Sequence, residues 1–261
     1  MQLPTIEELL KAGVHFGHKT SKWHPSMGKF IFGERRGVHI VNLRETLIHL
    51  EKALHFISET VTKGGTILIL GTKKQAQNRV SEVAKQTGMP SVTTKWIGGT
   101  ITNWTVIKRQ IIKLKKMREE NERGEWQKYT KKERVVMQRE IDSLISKYGG
   151  VETMDKPPDA LFIVDCKDSK TAIYEAMSKN IPLVAICDTN VDVRKIDYPI
   201  PANDDAIKSL NLILGILEKT ILRAQGKLRE EPQEPTESED PKADDKENVP
   251  VEAQTEKKME I

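Results

Sequence analysis

The sequence contains few cysteines, no long apolar run and no signal-type N-terminus. Cys166 and Cys187 are the only two cysteines in 261 residues, and their spacing does not fit a zinc finger. Each ends an apolar stretch, which predicts two buried free thiols in a reducing compartment. No apolar run approaches membrane-spanning length, and the first residues carry Glu7 and Glu8 instead of a signal-peptide core. We therefore expect a cytoplasmic protein with no membrane segment.

The glycine-rich motifs of nucleotide-binding enzymes are also missing. Gly71 follows the apolar stretch 66–70, but the next residues lack the spacing of a phosphate loop, and no G-x-G-x-x-G follows any apolar run. The stretch predicts a buried strand, followed by a helix over residues 73–88. The start of such a helix attracts phosphate through its free backbone N–H groups, and Lys73 and Lys74 add positive charge there. An ordinary turn with two solvated lysines explains the same residues equally well.

Positive charge is concentrated in one part of the chain. The whole sequence holds 42 Lys and Arg against 38 Asp and Glu, a net charge of +4. Residues 226–261 contain 6 basic and 12 acidic residues, whereas residues 1–225 contain 36 basic and 26 acidic residues and carry a net charge of +10. A basic body of this kind favours a polyanionic partner. Residues 227–261 have almost no apolar side chains, which predicts a disordered acidic tail.

Two segments combine cations with aromatic side chains, the mixture found on RNA-binding surfaces. Residues 15–25 are predicted to form a loop in which two histidines lie three residues apart. The pair could suggest a metal, but the loop lacks the facing geometry of a helical pair, so a structural or RNA-contacting role is favoured. Residues 95–104 bring together a lysine, two tryptophans and paired glycines. For residues 15–25 a solvated basic loop is the alternative.

Residues 105–150 have the pattern of two helices joined by a turn. Apolar residues recur at four-then-three spacing on both sides of a polar stretch around Gly124. Thr130 and Glu133 fit a capping box that restarts the helix, and Gly149-Gly150 end it. The segment carries 13 basic and 7 acidic residues. We expect an antiparallel helical hairpin with a narrow apolar seam, which could pack against the main domain but is favoured to protrude from it.

The rest of the chain alternates strands and helices. The first helix is capped by Thr5. After it, the pattern predicts a strand over residues 38–43, a helix over 45–62, strands over 159–165 and 181–188, a turn over 198–206, and a last helix ending near Gly226. This order, with continuously apolar strands, predicts an α/β fold with a doubly wound, mainly parallel sheet and helices on both faces. The predicted units are a discontinuous α/β domain of residues 1–104 and 151–226, the hairpin of residues 105–150, and the tail of residues 227–261.

Carboxylates follow the predicted strands, at the edge where parallel sheets usually bind ligands. They are Asp165, Asp188, Asp192, Asp204 and Asp205. Such groups could perform acid–base chemistry or hold Mg²⁺, but no nucleophile accompanies them in the sequence. Capping of the last helix by Asp204 and Asp205, and of a strand-end turn by Asp188, is the favoured explanation. A zinc or magnesium ion joining Asp188 with His18 is a further alternative.

Several separate segments together resemble the bacterial-type small-subunit ribosomal protein S2 family, from about residue 9 to residue 225. The motifs that carry the resemblance are AGVHFGH at 12–18, WHP at 23–25, IFGER at 31–35, GTKKQA at 71–76, WIGGTITN at 96–103, PDA at 158–160, DTN at 188–190 and IDYPIP at 196–201. Cys166-Lys167-Asp168, residues 191–195 and Ala202 depart from the family's usual sequence. These departures affect loop contacts and leave the fold expectation unchanged.

The resemblance implies a doubly wound α/β domain with an inserted, protruding coiled-coil hairpin. It also implies a non-enzymatic component of the small ribosomal subunit that needs no cofactor, binds ribosomal RNA and contacts neighbouring ribosomal proteins. One of those neighbours would be the large, mobile first small-subunit protein. From their chemistry, we expect RNA contacts from His15, His18, Lys19, Lys22, Trp23, Arg35, Arg36, Lys73, Lys74, Lys95, Trp96, Asn103, Lys108, Arg109 and Lys113.

Two alternatives from other functional classes are compatible with the same residues. The first is an α/β enzyme that binds a nucleotide or phosphosugar at the carboxyl ends of its strands. The second is a scaffold whose hairpin docks a protein partner without RNA.

Overall fold

The computed structural model describes residues 3–228, so all but the first two residues of the predicted acidic tail lie outside the described residues. Seven α-helices and eight strands are found in this range. In chain order they are α1 (Ile6–Lys11), β1 (Phe16–Lys19), β2 (Ile31–Arg35), β3 (Val38–Val41), α2 (Leu43–Thr62), β4 (Ile67–Leu70), α3 (Lys74–Thr87), β5 (Ser91–Val92), α4 (Trp104–Glu122), α5 (Lys131–Tyr148), β6 (Ala160–Ile163), α6 (Lys170–Ser178), β7 (Leu183–Cys187), β8 (Tyr198–Pro201) and α7 (Ile207–Ala224).

A five-stranded parallel sheet with strand order β5-β4-β6-β7-β8 forms the centre of the fold. Successive residues of a strand point to opposite faces. In β4, Ile67 and Ile69 join one buried core with α2, α3 and α7, whereas Leu68 and Leu70 join a second core with α6 and the first turns of α4. The prediction of an α/β fold with helices on both faces of a parallel sheet is confirmed.

Local sequence signals place several element boundaries. Thr5 begins α1 and Thr130 begins α5, each through a reciprocal capping box with the glutamate three residues later. Gly88 ends α3 in the left-handed conformation, with φ of 73°, which costs glycine no steric energy. Cys166 and Cys187 are both buried and free, as predicted.

A second sheet, antiparallel with strand order β1-β3-β2, was predicted only at β3. The prediction that residues 15–25 form a loop is wrong for β1, which pairs Phe16 with Ile40 and Lys19 with Val38. Neither β1 nor β2 contains a buried residue. Because these strands bury no apolar face, their sequences carry no alternating pattern for the prediction to use.

The edge strand β8 was predicted as part of a turn. It pairs with β7, Val184 opposite Tyr198 and Ile186 opposite Ile200. Its sequence contains Pro199 and Pro201, residues that usually argue against a strand because they lack a backbone N–H group. At an edge, alternate N–H groups have no ladder partner, so the prolines are tolerated there.

Helices α4 and α5 pack against each other through a small separate core. Its buried members are Leu114, Met117, Trp126, Ile141 and Leu144. The first turns of α4 are different, because Ile107 and Ile111 belong to the core under the main sheet. Arg118 also binds both carboxylate oxygens of Glu152, at 2.9 and 2.7 Å. The helix pair is therefore held by the first turns of α4 and by the Arg118–Glu152 contact, and its protrusion as a coiled coil stays a prediction.

Candidate nucleic-acid interface

The turn between β4 and α3 places Lys73 at the carboxyl edge of the main sheet. Lys73 is the N-cap residue of α3, and no side chain caps that helix. Its ammonium group lies 2.8 Å from an oxygen of Asp204, 2.8 Å from one of Asp205 and 3.8 Å from one of Asp165. Asp165 and Asp204 are buried. The lysine thus neutralises carboxylates of its own chain.

The electrostatics of this cluster follow from burial and close charges. Burial alone would lower the pKa of Lys73, but hydrogen bonds with Asp204 and Asp205 raise it above the ordinary value. Burial and the nearby charge of Asp188 raise the pKa of Asp204 to about 7, against the opposing effect of Lys73. The ammonium group therefore stays charged, and its charge is balanced internally.

His18 joins the same cluster from β1. Its Nδ1 atom lies 3.0 Å from Asp188, and its Nε2 atom lies 3.4 Å from Asp205. The hydrogen bond with Asp188 raises the pKa of His18, burial opposes this, and the charges of Asp188, Asp204 and Asp205 raise it further. The predicted capping of the last helix by Asp204 and Asp205 is wrong. Asn203 accepts hydrogen bonds from the Asp205 and Ala206 amides instead, which leaves the two carboxylates to His18 and Lys73.

Asp188 performs the role expected of it at the strand end, since it accepts hydrogen bonds from the amide and hydroxyl of Thr189. Among residues 3–228, His18, Asp188 and Asp204 form the one group whose ligand atoms could hold a metal, all within 4.8 Å of one another. One imidazole and two carboxylates suit zinc when a water completes the shell. The metal alternative stays a hypothesis, and Lys73 competes with the ion for Asp204.

The turn formed by residues 96–103 is built around Glu175, which no motif or pattern in the sequence marks as a site residue. The buried carboxylate of Glu175 accepts hydrogen bonds from Trp96 Nε1 at 3.0 Å and from the amides of Gly99, Ile101 and Thr102 at 2.8, 3.0 and 3.2 Å. The Thr102 hydroxyl also donates to it. A turn that holds an anion with its backbone amides could bind phosphate. Here α6 supplies the anion.

Most of the predicted RNA-contacting cations are exposed. Lys19, Lys22, Arg35, Arg36, Lys74, Lys95, Lys108 and Arg109 are exposed, as are Trp23 and Asn103. Lys113 is exposed but paired with Glu140 across α4 and α5. Lys108 also donates a hydrogen bond to the Asp155 carbonyl, at 3.3 Å. Most of these side chains can reach a phosphate directly. Lys108 and Lys113 can exchange a weak surface contact for a contact with phosphate.

Four other predicted contacts are less accessible. Trp96 is buried and bound to Glu175, and Lys73 is bound to three carboxylates. His18 is held by Asp188. Burial lowers the pKa of His15, which keeps its imidazole neutral at pH 7, and its ring packs against Phe16 with centroids 4.0 Å apart. RNA contacts by these residues stay predictions.

The carboxylates at the strand ends have partners within the described part of the chain. The strand-end carboxylates are bound by Lys73 and His18, and Asp192 is bound by Arg194 through two hydrogen bonds. Between residues 3 and 228, no helix is long and apolar enough to span a membrane. Exposed cations for which the described residues supply no salt bridge include Lys19 of β1, Arg35 of β2, and Lys108 and Arg109 of α4.

Comparison with known proteins identifies the family. Residues 9–224 match the family described as ribosomal protein S2. The chain is 42% identical over 241 residues to the small ribosomal subunit protein uS2 of Micrococcus luteus, covering 90% of this chain and 85% of the relative. It is 43% identical over 222 residues to the protein of the same name from Acidothermus cellulolyticus, covering 85% of this chain and 81% of that relative. The chain belongs to the ribosomal protein S2 family, which is not a family of enzymes, so the enzyme alternative has no support.

Proposed function

We propose that this protein is a structural constituent of the small ribosomal subunit that binds ribosomal RNA through its basic body. The observation that carries the proposal is the family match over residues 9–224, whose relatives are named small ribosomal subunit proteins. The net charge of +10 over residues 1–225 supports a polyanionic partner. Ribosomal RNA supplies that charge.

The proposed RNA surface has two parts. The exposed cations of β1, β2 and the adjoining turns, with Trp23 among them, form the first part. Lys95, Asn103, Lys108 and Arg109 form the second, around the turn that Glu175 holds in place. Fixed turns carrying lysines bind RNA phosphates with little loss of side-chain and backbone entropy.

The helix pair α4 and α5 is proposed to extend as an inserted coiled-coil hairpin that reaches RNA and neighbouring proteins. Its own core is small and separate from the cores of the main sheet, which suits an extended arm. Residues 105–150 carry 13 basic and 7 acidic residues. We also propose that the protein contacts neighbouring small-subunit proteins, including the large first small-subunit protein.

Co-sedimentation with small ribosomal subunits tests the proposal. The tagged full chain should enter the small-subunit peak and be displaced from it by high salt. Pull-downs before and after nuclease treatment separate RNA binding from the scaffold alternative. Recovery of the same partners after complete RNA digestion would favour a scaffold, and absence of the chain from the small-subunit peak would refute the proposal.

A further inference from the structure

A cavity of about 330 Å³ lies beside the carboxyl ends of β6 and β7, and none of the residues of the Lys73 cluster lines it. Cys166, Ile173 and Val191 give it an apolar lining, and Lys167, Lys170 and Lys195 contribute positive charge. Its volume is at the lower end of the range of small-ligand sites. A cavity with apolar walls and several cations suits a flat group that carries a phosphate.

The walls of this cavity are fixed by contacts between distant segments. The His24 amide donates a hydrogen bond to the Thr189 carbonyl at 2.8 Å. The Ser26 hydroxyl accepts one from the Val193 amide at 3.2 Å and donates one to the Val191 carbonyl at 3.4 Å. The segments before β2 and after β7 therefore hold each other in place.

Two side chains of the cavity offer groups for a ligand, one an exposed aromatic ring and the other a buried oxygen without a hydrogen-bond partner in the described part of the chain. Tyr174 is 57% exposed, and the ammonium group of Lys195 lies 4.6 Å from its ring centroid and 2.9 Å from its hydroxyl. The side-chain oxygen of Asn190 is buried and accepts no hydrogen bond from residues 3–228. The one carboxylate of the lining, Asp192, is bound by Arg194. The lysines are therefore not neutralised within the cavity.

We propose that this cavity binds one unpaired ribonucleotide of RNA. The base would stack on Tyr174 and the apolar lining, since unpaired RNA bases commonly stack on aromatic side chains. The Asn190 oxygen would accept a hydrogen bond from a base amino group or a ribose hydroxyl, and Lys170 and Lys195 would contact the phosphate. The inference rests on the proposed function and adds a specific RNA contact to it.

The test is a fluorescence anisotropy titration of the full chain with a labelled single-stranded hexaribonucleotide. Tyr174→Ala should weaken binding about tenfold through lost stacking, while Tyr174→Phe keeps the ring and should stay close to wild type. The Lys170→Gln/Lys195→Gln variant should also bind about tenfold more weakly, with a salt slope shallower by about one unit per lost phosphate contact. The matched control is Lys208→Gln/Lys219→Gln, which removes two exposed lysines of α7 that do not line the cavity.

The outcomes separate the inference from the proposed function. The inference is overturned if the cavity variant Lys170→Gln/Lys195→Gln and the control variant weaken hexaribonucleotide binding equally. It is also overturned if Tyr174→Ala binds with wild-type affinity. Either result counts even if the chain still enters small subunits. A wild-type chain that binds no hexaribonucleotide would also overturn it, and co-sedimentation then decides the proposed function separately. AMP will also be tested as a competitor that displaces the labelled hexaribonucleotide. If AMP displaces it at a concentration no higher than that at which the unlabelled hexaribonucleotide does so, the cavity is a site for a free nucleotide and the RNA assignment is overturned. Unfolding midpoints of all variants exclude misfolding as the cause.

Discussion

At the scale of single residues, Glu175 links the sheet to the predicted RNA surface. Its carboxylate is buried in α6 and satisfies three backbone amides, the Trp96 indole and the Thr102 hydroxyl. Burial alone would raise its pKa, but these hydrogen bonds lower the pKa of Glu175 below the ordinary value. The turn of residues 96–103 therefore depends on a negative charge supplied by another element.

Glu175→Ala should lower the free energy of unfolding by about 3 kcal/mol, because several donors lose their acceptor and at least two of them are buried. Glu175→Gln keeps one acceptor oxygen and should cost about half as much. Urea unfolding measures both values. The control is Glu51→Ala on the exposed face of α2, which should change stability by no more than about 0.5 kcal/mol. If Glu175→Ala is as stable as this control, the turn of residues 96–103 does not need the Glu175 carboxylate for its stability.

The lowered pKa of Glu175 predicts how this stabilisation depends on pH. A carboxylate with a depressed folded-state pKa contributes stability that is present above its unfolded pKa of about 4.3 and is lost as the pH falls through the folded value. The stability difference between wild type and Glu175→Gln should therefore be constant at neutral pH and shrink below about pH 4. Urea unfolding at a series of pH values checks this. A difference that grows on acidification would contradict the assignment.

Lys73 and its neighbour Lys74 should behave differently although the sequence presents them as a pair. Lys73 balances buried carboxylates, and Lys74 is exposed. Lys73→Ala leaves those carboxylates without their partner and should cost about 3 kcal/mol of stability. Lys74→Ala should leave stability within about 0.5 kcal/mol of wild type while weakening RNA binding. Urea unfolding and RNA titration of the two variants, side by side, check both expectations, and equal stability of the two would contradict the buried-cluster role.

At the scale of elements, the helices and strands predicted correctly are those whose burial or capping leaves a recognisable pattern of residues in the sequence. The apolar run of β4 and the capping box at Thr130 were enough to place a buried strand and the start of α5. Strands β1 and β8 were missed because one buries no apolar face and the other contains two prolines. The site was predicted less well than the fold. The joining of Lys73 and His18 to Asp204 and Asp205 depends on tertiary contacts between distant segments, and no local pattern encodes them.

We expect a short and a long deletion within the α4–α5 segment to affect thermal stability differently. Replacing residues 115–140 by a Gly/Ser linker keeps Ile107 and Ile111 in the main core and should lower the melting temperature by no more than about 5 °C. Replacing residues 105–150 removes both isoleucines, each of which costs about 2–5 kcal/mol when lost from a core, and should destabilise the body severely. Thermal unfolding distinguishes the two.

The short deletion also tests the arm's proposed role. It removes most of the segment's basic residues while keeping the body, so incorporation into small subunits should weaken. Normal incorporation of a folded short-deletion variant would contradict a binding role for the arm.

At the scale of the whole molecule, charge determines how the protein meets RNA. The net charge of +10 over residues 1–225 is offset by the net charge of −6 over residues 226–261. Inside the body, the carboxylates near the carboxyl edge of the sheet are bound by Lys73, His18 and Arg194. The exposed cations of β1, β2 and α4 are consequently left to act on a partner.

Affinity for small-subunit ribosomal RNA should therefore depend steeply on salt. If about six phosphates are neutralised, a plot of log affinity against log salt should have a slope of about −5, because each contact releases condensed counterions. Lys108→Gln/Arg109→Gln should make the slope shallower by about two units without changing stability, since both side chains are exposed. The matched control, Lys208→Gln/Lys219→Gln on α7, should leave the slope nearly unchanged. Filter-binding titrations at several salt concentrations measure these slopes. An affinity independent of salt would mean that the basic surface does not contact phosphate, and equal slopes for both double variants would place the RNA away from the start of α4.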